Sequence, residues 1–203
     1  MSIKINYLNK STGKTSSNLV LFVNEKFNTM NLKQFISSTE FTYIDDLLKS
    51  NDLKKNIFVF EVSSKKKIVL ISIKKDLKNF DIENLGAEFY GRINYGKNSE
   101  YFINSDSINS KHKNFIGYFL HGLKLKSYEF NKYKKKKETR VISINVIGNK
   151  NKPSAHNQLK FQALEEGTFY ARDLVSEPRN IIHPNEYTKR NNSLKKFGLK
   201  INN

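Results

Sequence analysis

No cysteine occurs in this 203-residue sequence, which removes disulfides, thiolate metal sites and a cysteine nucleophile together. A chain without cystines suits a reducing compartment, so the sequence reads as cytoplasmic and soluble. Proline is scarce, with only Pro153, Pro178 and Pro184, so each one acts as local punctuation. Apolar runs are short, as in "IVLISI" (68–73), far below the roughly 20 residues that cross a bilayer. The start, "MSIKINYLNKS", has no apolar h-region and no small-residue cleavage site, so no secretory leader is expected.

What is present is enough for a core. Hydrophobic residues make up 37% and aromatics 12%, above what disordered chains carry. The net charge of +17 is almost all lysine, with 31 Lys against 5 Arg. Nucleic-acid grooves favour arginine for bidentate and stacked contacts. Lys, Asn and Ile are all abundant here, and all three have A/T-rich codons, so genome composition is able to produce that bias without any ligand. The one dense basic cluster is "KYKKKKE" (132–138), with Lys134, Lys135, Lys136 and Lys137 in sequence. It reads as a solvated loop between a helix and a strand. A weak nucleic-acid contact through those four lysines is the competing use of the cluster.

Strand-like and helix-like segments alternate through the first 150 residues. "IKINYLN" (3–9) and "NLVLFVN" (18–24) read as strands, and "FTYIDDLLKSN" (41–51) as a short helix. "NIFVFEVS" (56–63) and "KKIVLISIK" (66–74) read as a hairpin. Ile82, Leu85, Phe89 and Ile93 recur at helical spacing within 80–96, with Asp81 as the expected N-cap. Gly86 and Gly91 each cost that helix roughly 1 kcal/mol relative to Ala, which implies an element packed closely on that face. A strand at 100–105, a helix at 112–128 and a strand at 139–148 complete the half. The pattern predicts an α/β fold, a largely covered mixed sheet flanked by helices. After the polar joint "NKNKPSA" (149–155), one long helix is expected over 156–175, followed by a different region from 176 onward.

The most specified stretch is "ARDLVSEPRNIIHPNEY" (171–187). Pro178 lacks an amide N–H and pushes Glu177 out of the α region, so the long helix must stop there. "SEPRNII" should run as an extended loop. Pro184 suits the first turn of a new helix, where Glu186 could reach back to an unpaired amide. Gly198 is a suitable terminator, and "LKIN" (199–202) looks like the start of another strand.

Here a family resemblance enters. The stretch is similar to the leucyl (cytosol) aminopeptidase pattern A-R-D-L-V-N-E-P-x-N-x-x-T-P, matched by Ala171, Arg172, Asp173, Leu174, Val175, Glu177, Pro178, Asn180 and Pro184. Ser176 stands for the usual Asn and His183 for the usual Thr, whose hydroxyl would cap the next helix. Upstream, 117–137 resembles the G-x-x-L-G-S-Y-x-F-D-x-Y-K region through Gly122, Ser127, Tyr128, Phe130, Tyr133 and Lys134, with Asn131 in place of Asp.

The resemblance implies an amino-terminal α/β domain over 1–150, a connecting helix over 151–175, and the truncated start of a peptidase catalytic domain over 176–203. It also implies a hexamer and peptide hydrolysis by two divalent metal ions, zinc or manganese, in the complete protein. The family's ligand-bearing motifs, V-G-K-G-x-x-F-D-S-G-G and N-T-D-A-E-G-R, do not occur in these residues. No catalytic, cofactor-binding or metal-ligating residue is therefore assigned, and this stretch is expected to be inactive alone.

Other sites find little support. His112, His121, His156 and His183 are widely separated and read as structural or surface histidines. Asp173 and Glu177 lie four apart on one helical face, a spacing open to a cation but equally to ion pairing. Ser176 has no nucleophile-elbow signature. Gly86, Gly91 and Gly96 do not form a phosphate-cradling loop, so a nucleotide-binding α/β domain rests on fold class alone. The alternative function is a basic stand-alone nucleic-acid-binding α/β module.

Overall fold

The computed structural model describes residues 2–8, 17–50, 52–93, 99–135 and 141–201. Expectations that fall on Asn9, Asn51, 94–97, Lys136, Lys137, 139–140 and Asn202 lie outside those residues. The strands are β1 (Ser2–Tyr7), β2 (Asn18–Asn24), β3 (Ile57–Ser63), β4 (Lys66–Ile73), β5 (Ser99–Asn104) and β6 (Val141–Ile147). They form one mixed sheet in the order β1-β6-β5-β2-β4-β3. Only the β3–β4 hairpin is antiparallel; every other neighbouring pair runs parallel. Parallel neighbours need long crossovers, which the helices α1 (Ser38–Ser50), α2 (Asn79–Ile93) and α3 (Phe115–Lys126) supply.

The neighbouring strands β2 and β4 are apolar on both faces, as a covered strand must be. Val20, Phe22, Val69 and Ile71 pack toward α2 and α3. Leu19, Leu21, Ile68 and Leu70 pack on the other side, with Ile44 and Leu48 of α1. Phe119 of α3 sits at the centre of the larger cluster, its ring 5.4 Å from Phe22 and 5.5 Å from Phe89. The α1 side is less apolar toward β1. There Asn6 Nδ2 donates to Asn145 Oδ1 at 2.8 Å, and Asn145 Nδ2 donates to Glu100 Oε1 at 2.7 Å. A polar ladder thus runs across β1, β6 and β5 on that face.

The close approach anticipated at the glycines is real at one position and absent at the other. A Cβ on Gly86 would lie 1.9 Å from Phe119 O, and one on Gly122 would lie 1.9 Å from Glu83 O. These glycines on α2 and α3 let the two backbones touch. Gly91 has nothing within 4 Å among the described residues, so none of them accounts for it.

Helix starts differ from the sequence expectation for local reasons. α1 begins at Ser38 rather than 41, because Ser37 and Glu40 form a capping box. Ser37 N donates to Glu40 Oε2 at 2.9 Å while Glu40 N donates to Ser37 Oγ at 3.3 Å. Asp81 is not the N-cap of α2. It lies inside the helix, and its Oδ2 accepts from the backbone N–H of Lys78 at 2.9 Å.

Beyond the sheet, α4 (Ala155–Ser176) lies outside α3, seated by Phe161 against Gly117. Ser154 caps it by accepting from Asn157 N at 3.3 Å. Pro178 ends it as expected, with Glu177 in extended backbone (φ −68°, ψ 138°). The following segment is not extended, however. Ile181 N and Ile182 N both donate to Pro178 O, at 2.9 and 3.1 Å, which folds it into a turn. α5 (Pro184–Asn192) starts at Pro184, and Gly198 (φ 83°) closes a 3-10 turn over Ser193–Phe197. Residues 199–201 form no strand, since no described segment pairs with them.

Candidate functional site

The two stretches singled out in the sequence, 117–137 and 171–187, meet in space. Seven side chains make the polar contacts of the junction: Tyr128, Lys132, Tyr133, Arg172, Asp173, Glu177 and Arg190. Arg172 Nη1 donates to Leu125 O at 2.6 Å and lies over the Tyr128 ring, 5.5 Å from its centroid. Tyr128 Oη donates to Asp173 Oδ1 at 2.7 Å, and its ring tilts on Phe169 at 5.4 Å. At the end of α4, Glu177 accepts from Lys132 Nζ and Tyr133 Oη on the loop after α3. Arg190 Nη1 of α5 donates to the same carboxylate at 2.8 Å.

Glu177 is therefore the hub of three segments: the loop after α3, the end of α4, and α5. Its side chain is only 1% exposed, so a carboxylate there must be fully partnered to persist. The hydrogen bonds from Lys132, Tyr133 and Arg190, in that order of weight, hold it down to about 2. The same bonds push the Lys132 ammonium, the Tyr133 phenol and the Arg190 guanidinium upward. Glu186 does not reach back to the amides that begin α5. It takes Arg190 Nε at 2.9 Å, one turn along, and so orients the guanidinium toward Glu177. His183 is the N-cap residue of α5 and makes no side-chain capping bond, in line with loss of the usual Thr hydroxyl.

This geometry decides between cation binding and ion pairing for Asp173 and Glu177. Asp173 is engaged by Tyr128, and Glu177 is saturated by two cations and a phenol. Among the described residues no group of three or more His, Asp or Glu is placed to hold a metal ion. The residues present thus do not fit a dinuclear metal centre. The histidines lie apart: His112 Nε2 meets Asn79 Oδ1 at 2.8 Å, buried His121 meets Glu165 at 3.4 Å, and His156 and His183 are exposed. Near that pair, burial and then the Glu165 charge push the Tyr7 phenol up to about 12. Lys134 and Lys135 are exposed on an irregular stretch.

Sequence reasoning marked Glu177 and, as a motif match, Tyr133, but not that the two meet. Lys132 and Arg190 carry no local signal for the role, apart from the Glu186–Arg190 spacing of four.

No family model matches the chain. A "probable cytosol aminopeptidase" of Rhodopseudomonas palustris (strain TIE-1) is 26% identical over 130 residues, covering 62% of this chain and 26% of that protein. One from Caulobacter vibrioides is 34% identical over 86 residues, covering 39% of this chain and 17% of that protein. Among solved structures, a tomato leucine aminopeptidase mutant superposes with a TM-score of 0.72 at 15% identity, covering 97% of this chain and 42% of that one. A cytosol aminopeptidase from Coxiella burnetii gives 0.60 at 16% identity, covering 96% of this chain and 38% of that one. The chain spans about a quarter of the length of the first curated relatives it matches. It is thus similar in sequence to the cytosol aminopeptidases and has the fold of the amino-terminal region of leucine aminopeptidase.

Proposed function

We propose that these residues are the non-catalytic amino-terminal part of a leucyl aminopeptidase, a metallo-exopeptidase that releases amino-terminal residues from peptides. Residues 1–150 are the amino-terminal α/β domain, 151–175 the connecting helix, and 176–203 the start of the peptidase domain. The observation that carries this reading is the Glu177 junction. It ties the motif-matching end of the helix to the motif-matching loop of the α/β domain, and so fixes the direction in which the chain leaves. In this reading the junction orients and does not react, because Glu177, Lys132, Arg190 and Glu186 are spent on one another.

A second feature supports the reading. Leu159 (67% exposed), Val175 (87%) and Phe197 (69%) leave apolar surface on α4 and the segment beyond α5, which a peptidase domain would cover. In this proposal the complete cytoplasmic protein holds two divalent ions, zinc or manganese, in that other domain and assembles as a hexamer. No described helix is long and apolar enough to cross a membrane. The test is a leucyl-peptide hydrolysis assay on the purified 203-residue chain with added Mn²⁺ or Zn²⁺. No metal-dependent release of leucine is expected, and sustained turnover would overturn the proposal.

A further inference from the structure

We draw no further inference here: the strongest candidate, the outward apolar face of α4 around Leu159, Leu164 and Val175, carries nothing, because it is the surface already given to a peptidase domain in the proposed function and nothing in the structure shows what else covers it.

Discussion

The sheet and the α4–α5 junction are held by different physics. Around Phe119, α2, α3 and the central strands meet through buried hydrocarbon and glycine-mediated backbone contact. At the junction, Phe161 is the one buried apolar residue of α4's 22, and α5 buries none. The work there falls to one shielded carboxylate and the three donors around it. An apolar core resists changes of pH and salt and fails when volume is removed. A charge hub tolerates volume changes nearby and fails when its charge is removed. The sheet and the α4–α5 segment should therefore respond to different perturbations.

That contrast can be broken from either side. The largest expected effect is in the sheet: Phe119→Ala should cost about 3–5 kcal/mol in denaturant unfolding, because a fully buried ring is replaced by a cavity. Glu177→Gln should act locally. Hydrogen exchange should quicken across 184–197 while strands β2 and β4 keep their protection, since the hub touches neither strand.

Acid should reproduce the second effect without a mutation. The folded pKa of Glu177, about 2, lies below the ordinary value of about 4.3. Its contribution is therefore fully present above about 4.3 and is lost as pH falls from there toward 2. Exchange of α5 followed between pH 6 and pH 2.5 should show loosening only in the lower part of that window. His183→Thr supplies the missing capping hydroxyl and should stabilise α5 by up to about 1 kcal/mol, visible as slower exchange in its first turn. Replacing exposed Lys134 and Lys135 by serine should shift stability by no more than about 0.5 kcal/mol, measured by thermal unfolding.

The sheet and its helices were legible because their signals are local. "NLVLFVN" is a strand by composition and is one over its full length, and Ile82, Leu85, Phe89 and Ile93 mark a helix face that is indeed buried. Pro178 and Pro184 placed a helix end and a helix start correctly. Local signals also misled. The Ser37–Glu40 capping box starts α1 three residues before its apolar pattern does. "LKIN" has strand composition, but a strand needs a neighbour, and residues 199–201 have none among the described residues. The junction itself was half visible. Glu177 and its motif stood out, yet Lys132 and Tyr133 are 45 and 44 positions away. Nothing in residue spacing announces that they converge. Such long-range pairing follows from how α4 packs back on α3, which only the folded chain shows.

The central claim is that Glu177 couples α5 to the α/β domain through Arg190. It is tested most directly by a double-mutant cycle of Glu177→Gln and Arg190→Gln, read as exchange protection of residues 184–192. If the pair acts as one unit, the double variant should lose no more protection than Glu177→Gln alone. Fully additive losses would mean that the two side chains act independently, and would contradict the account.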